Sequence, residues 1–319
     1  PRRSSDLLLA ALVGLMNLPA AMAMVSWTAL CGDAFSPDVR AEIFAERNRW
    51  MALCGLLPTI AVGLFLDRVS FPLGYQLIFL LALGVSLVEI WFLQRLIEPP
   101  TVRIAAGHRR SLAAIRRETG FWRYTLVSLC FYFPWQMGWP LFTIYQVNHL
   151  HANNLWMAII AVTGALGVWV SSNWWGRKST QKGNVRLLVL ATGGLALSPV
   201  FFVLSDALWP VALFNLVMGF FSAGALLLFF NGLLETIPAE DAAAYVAYHN
   251  TLVNLSAFMA PLVGTALLGL VSIKGALLIN AGARLAGSLA IALWLAAPAR
   301  QAGQPAPDHT PPLGGEGRR

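Results

Sequence analysis

Glu235, Glu240, Asp241 and His249 crowd one short stretch of the chain, a grouping that could hold a metal or move a proton at a surface. His149 and His151 flank Leu150 in N-H-L-H-A-N-N, but two histidines at i and i+2 with no cysteine or carboxylate beside them make a poor ligand set. Cys31, Cys54 and Cys130 form no Cys-x-x-Cys pair and read as free thiols packed like small apolar residues. No Ser-His, His-Asp or paired-carboxylate constellation falls at a common depth, and no glycine-rich phosphate loop is present. No catalytic residue, metal or cofactor is therefore expected, nor is direct drive by ATP. What remains is polar chemistry without a covalent step. In F-Y-F-P-W-Q-M-G-W-P-L-F-T, Tyr132, Gln136, Trp139 and Thr143 recur at helical spacing and share a face that could stack on and hydrogen-bond a solute. Pro134, Gly138 and Pro140 should bend or unwind that helix. Asn17, Trp27, Thr28, Asn215 and Ser222 offer similar groups in other apolar stretches, where an amide can equally tie two helices together. Glu89 and Arg284 are charges inside apolar stretches.

The elements that must position these residues are long and apolar. The chain has 319 residues, 57% of them hydrophobic and only 12% charged, with mean hydropathy +0.65. A soluble core cannot absorb that much apolar surface, so an all-α polytopic membrane protein is expected. Nine spans are read, at about 7–32, 50–66, 72–95, 122–147, 154–175, 186–205, 208–234, 250–271 and 274–297. The net charge of +7 would raise nucleic acid as a partner in a soluble protein. Here 17 of the 22 Lys and Arg fall in loops on one side, so the positive-inside effect explains the charge, and no nucleic acid is expected. That bias places the C-terminus in the cytoplasm, with the lipid bilayer as partner and a bacterial cytoplasmic membrane as setting. Glu98 to Gly120 reads as an amphipathic linker at the basic surface, and residues 298–319 as a disordered Pro/Gly-rich tail.

The chain also repeats itself. D-A-F-S-P-D-V-R-A-E-I-F-A-E-R-N ends at Asn48, and E-T-I-P-A-E-D-A-A-A-Y-V-A-Y-H-N ends at Asn250, an offset of 202 residues. The offset pairs Asp33 with Glu235 and Arg47 with His249. It maps spans one to three onto spans seven to nine and leaves spans four to six without partners. Two parallel copies of such a unit imply two helical bundles. The division is then 1–97 for the last three helices of a first bundle, 98–120 for the linker and 121–297 for a six-helix bundle. On this reading, three helices precede Pro1.

The loop after span five reads W-W-G-R-K-S-T-Q-K-G-N-V-R, residues Trp174 to Arg186. With the two bundles and the basic linker, it resembles the major facilitator superfamily, whose loops carry a Gly-x-x-x-Asp-Arg-x-Gly-Arg pattern. Gly176 and Gly183 fit that pattern. Thr180, Gln181 and Asn184 replace its Asp, first Arg and final Arg. The resemblance implies a secondary transporter that moves a small solute by alternating access, with a proton or sodium ion as possible coupling partner. It implies a central cavity lined by spans one, four and seven, hence by Asn17, Trp27, Thr28, Tyr132, Gln136, Trp139, Thr143, Asn215 and Ser222. It also implies a gate in which Arg177 pairs with Glu235, Asp33 playing the equivalent part in the first repeat. Glu89 is a candidate for coupling. Span two lacks the family's antiporter motif Gly-Pro-x-x-Gly-Gly.

Two other readings stay open on the residues alone. One is a membrane-embedded enzyme acting on lipid substrates through the cluster around Glu235. The other is a non-transporting sensor or remnant.

Overall fold

The computed structural model describes residues 37–95, 117–238 and 242–296. Within them the chain forms nine α-helices and no strand. These are α1 (Pro37–Arg68), α2 (Leu73–Leu93), α3 (Thr119–Ile144), α4 (Asn154–Lys182), α5 (Asn184–Ala196), α6 (Ser198–Leu204), α7 (Leu208–Thr236), α8 (Ala242–Leu267) and α9 (Ile273–Ala296). A π-helical turn, Tyr145–His149, closes α3.

Six stretches among the described residues are long and apolar enough to cross a membrane: Leu73–Leu93, Asn154–Ser179, Arg186–Leu204, Leu208–Thr236, Ala244–Leu267 and Ile273–Trp294. That is fewer than the nine spans expected. The span at 7–32 lies outside the described residues. α1 and α3 are helices at two further expected places without being among the six. In α3 the reason is its load of Trp, Tyr, Gln and two prolines, all of which lower hydropathy.

Three boundaries need correction. The segment ending at Asn48, expected as a loop, is helical from Pro37, a residue suited to the first position of a helix. The sixth span is broken into α5 and α6 at Leu197, because Pro199 removes an N–H in the first turn of α6. α3 does not unwind at Pro134 or Pro140. Its irregularity falls instead at the π-turn, where α3 ends and a solvent-side loop begins. Leu73–Leu93 moved by the 202-residue offset gives 275–295, which lies inside α9.

α3 packs between α8 and α9, α4 against α7, and α5 between α7 and α9. Three apolar clusters fill these seams. Phe121, Tyr124, Leu233 and Tyr245 lie at one end. Phe131, Trp175, Leu188, Leu195 and Phe229 occupy the middle. Leu141, Tyr145, Phe202, Val211 and Leu277 close the other end. The outer surface is apolar too: α2 presents Phe79, Leu80, Leu81, Val85 and Phe92 exposed, as a lipid-facing helix does.

α4 and α7 meet backbone to backbone. A Cβ on Gly167 would strike the carbonyl oxygen of Leu216, and one on Gly219 that of Gly164. Small residues permit this approach, and dispersion between the two backbones is what it gains. Asn215 Nδ2 donates to Ile160 O at 2.5 Å and Trp175 Nε1 to Phe220 O at 2.7 Å, fixing the register of the seam.

Candidate functional site

α3 carries the polar stripe expected from the sequence, and the structure grades it from buried to open. Tyr132 is half-buried, its ring 4.5 Å from Phe229, 5.9 Å from Trp135 and 6.2 Å from His249. Gln136 is buried. Its Oε1 accepts from Ser256 Oγ at 2.6 Å and its Nε2 donates to Val253 O at 3.3 Å, so it ties α3 to α8. Trp139 and Thr143, one and two turns further, are exposed, and the Thr143 hydroxyl bonds Trp139 O. Tyr132 and Gln136 thus belong to the α3–α8 seam, while Trp139 and Thr143 stand open beyond it.

Asn215 is committed to the α4–α7 seam, and Ser222 is half-buried on α7. Asn17, Trp27, Thr28 and Asp33 lie outside the described residues. Glu89 lies on the exposed surface of α2, one turn before its Leu93 end.

Arg284 is the deepest charge, 1% exposed on α9. Its Nη1 donates to Ser198 Oγ at 2.7 Å and Leu195 O at 3.2 Å. Its Nη2 donates to Trp135 O at 2.9 Å, and its Nε to Pro134 O at 3.4 Å. The Leu195 carbonyl is the one that Pro199 strips of its helical N–H partner, so the guanidinium satisfies a group the proline orphans. Asn280, one turn earlier, donates to Pro134 O at 2.7 Å. Gly138 makes room for both, since a Cβ there would meet Arg284 Nη2 and lie 2.8 Å from Asn280 Oδ1. One side chain therefore joins α3, the α5–α6 break and α9.

At the Thr119 end of α3, His249 turns inward rather than joining a surface cluster. It is 4% exposed, its Nδ1 is 3.3 Å from Thr125 Oγ1, and the Tyr124 ring is 6.1 Å away. Glu240 and Asp241 lie outside the described residues. At the same end Glu235 is exposed at the close of α7, and Asn184 Nδ2 donates to its Oε1 at 2.5 Å. Asn231 Nδ2 in turn reaches Asn184 Oδ1 at 3.4 Å. Asn184 starts α5, just after Gly183 at φ +81°, a backbone angle that glycine adopts without strain. Arg177, expected as the partner of Glu235, is exposed near the end of α4. Sequence reasoning placed Asn184 at an arginine position of the loop but gave it no role.

Asp67 was missed altogether. It ends α1, and its carboxylate accepts from Asn154 N at 2.9 Å, Asn154 Nδ2 at 3.0 Å and Leu155 N at 3.1 Å. Tyr75 OH on α2 donates to Asn154 Oδ1 at 2.9 Å. Just inward the two helices touch: a Cβ on Gly63 would lie 2.8 Å from Ala158 Cβ. Ala165 and Gly176 share the Ala158 face of α4, yet Ala165 is exposed and a Cβ on Gly176 would meet nothing within 4 Å among the described residues. A Cβ on Gly55, inward on α1, would also meet nothing within 4 Å. Among the described residues, the α1–α4 seam is thus seen to close at its Asp67 end.

Residues 3–251 match the family model described as Major Facilitator Superfamily. No curated protein matches the sequence closely enough to count as a relative.

Proposed function

The chain belongs to the major facilitator superfamily, a family of membrane transporters, and from that membership we propose that it carries a small solute by alternating access. The transported molecule binds without covalent chemistry, and no cofactor takes part. What supports the reading, beside the family match, is the α1–α4 contact at Gly63 and Ala158, held at its end by the exposed Asp67.

Tyr132, Trp139 and Thr143 are the α3 groups proposed for the solute, joined by Ser222 and by Asn17, Trp27 and Thr28 of the first span. Gln136 and Asn215 serve the site by holding α3 on α8 and α7 on α4. Asn184 and Glu235 form a latch between α5 and α7, and Arg177 of α4 is the further gate residue. The Lys and Arg bias of the loops supports a cytoplasmic location for these residues. Glu89, one turn from the end of α2, is placed to reach interfacial water, which supports an interfacial role over a buried ion site.

The test is flux. The full chain in proteoliposomes should accumulate or exchange at least one radiolabelled solute from a panel of sugars, amino acids, organic anions and amphipathic cations, under imposed proton or sodium gradients. Uptake equal to that of empty liposomes for every class would refute the reading.

A further inference from the structure

Asp67 sits at the one end of α4 where the backbone needs help. The N–H groups of Asn154, Leu155 and Trp156 have no partner within the helix. The Asn153 side chain, as N-cap, accepts from Trp156 N at 2.9 Å. The other two N–H groups are taken by Asp67, 87 residues away in the chain, on a different helix. The carboxylate also faces the positive end of the α4 dipole. A cap supplied by another helix does more than stabilise α4: it fixes the separation of α1 and α4.

The surroundings suit a contact made to be broken. Asp67 is exposed, so on separation water can replace it on both N–H groups and no buried donor is orphaned. The links of Gln136, Asn215 and Arg284 lack that freedom, because they are sheltered within the helices from α3 to α9. At the seam next to the cap a glycine lies against an alanine, a pair that carries no rotamer to change when the helices part. Tyr75 extends the same contact to α2, so both α1 and α2 are tied to the first turn of α4.

We propose that Asp67 is the latch that closes this end of the transporter, holding α1 and α2 to the first turn of α4 in the state seen here and releasing them when the seam opens. The proposal rests on the alternating-access reading and names the positioning residue for one of its two states.

The test uses the full chain in membranes, with Cys31, Cys54 and Cys130 replaced by serine and one reporter cysteine at a time. Val162→Cys reports on the seam beside Asp67, and Gly176→Cys on the far end of α4. A membrane-impermeant maleimide is applied from either face. Asp67→Ala should raise the labelling rate of Val162→Cys about five-fold from the Asp67 side, and lower that of Gly176→Cys from the other. Asp67→Asn, which keeps the shape and one acceptor oxygen, should fall between, and Tyr75→Phe should give a smaller change of the same sign. Gel filtration checks that each variant is folded, and if Asp67→Ala is not, the graded pair Asp67→Asn and Tyr75→Phe decides. Unchanged rates at Val162→Cys overturn the latch. A rise at Val162→Cys with no fall at Gly176→Cys also overturns it, since Asp67 would then cap α4 locally without setting the state. Reciprocal labelling in a protein that moves no solute would remove the transporter reading and leave the latch standing.

Discussion

Asn184, rather than Arg177, should carry the coupling to Glu235. The Asn184 amide donates to the carboxylate at 2.5 Å, and Asn231 holds the Asn184 oxygen at 3.4 Å, a marginal bond. A hydrogen bond to a charged acceptor contributes about 1.5–3 kcal/mol when sheltered. Glu235 is exposed and Asn184 half-buried, so solvent reduces this to about 1 kcal/mol. Arg177 is exposed as well, and a pair of exposed charges on flexible side chains is worth about 0.5 kcal/mol or less. Reversible unfolding of the full chain in bicelles, followed by steric trapping, can resolve the two in double-mutant cycles. Asn184→Ala with Glu235→Ala should give a coupling of about 1 kcal/mol, and Arg177→Ala with Glu235→Ala no more than about half of that. A coupling for Asn184 within about 0.3 kcal/mol of zero would refute the amide latch. A larger coupling for Arg177 would restore the ionic gate that the family's loop implies.

Three further outcomes follow from the geometry. Gly219→Ala drives a methyl into the Gly164 carbonyl, a backbone atom that no rotamer change can move aside, so the α4–α7 seam must part. The same unfolding assay should register a loss of about 2–3 kcal/mol. Arg284→Lys replaces a fork that spans Pro134, Trp135, Leu195 and Ser198 with one ammonium that cannot reach all four, and should cost about 1–2 kcal/mol. Trp139→Ala should leave stability within about 0.5 kcal/mol, because half of the residue is already exposed, yet depress solute flux in proteoliposomes if this face lines the path.

Legibility divided along physical lines. Apolar runs about 20 residues long read directly as α2, α4, α7, α8 and α9, because the bilayer leaves a helix few alternatives. The close crossing of α4 and α7 rests on Gly167 and Gly219, where only a residue without a side chain lets the backbones meet. The α5–α6 break was harder to see, since a proline in a span either kinks it or passes unnoticed. At Pro134 the helix continues and at Pro199 it stops, and local sequence does not separate the two. The polar residues were legible as polar and helix-borne, while their partners were not. Gln136 and Asn215 each find an acceptor on a helix more than fifty residues away. Asp67 reads as an ordinary charge at the end of a span, and its role exists only because the start of α4 arrives beside it. Asn184 shows the opposite case: the family's loop pattern located it, but the pattern's arginine drew attention to charge where the contact is made by an amide.

The bonds that hold this molecule together are unevenly distributed, and the unevenness bears on how it can move. From α3 to α9 the links are sheltered: a guanidinium across three helical segments, an amide into α8, a glycine crossing with backbone in contact. Breaking any of them would strand a donor or acceptor away from water, at a cost of about 1–3 kcal/mol each, so these helices are expected to move as a unit. Between α1, α2 and α4 the links are exposed carboxylate, hydroxyl and amide groups next to the Gly63–Ala158 contact, and water can substitute for each. A transporter needs its two states within a few kcal/mol of each other, which the first kind of interface forbids and the second permits. Among the described residues, the α1–α4 seam is the interface of the second kind, and under the proposed alternating access it is where the two states differ. A solute that binds across it has only to favour one arrangement by the modest energy of a few exposed hydrogen bonds to change the side from which the site is reached.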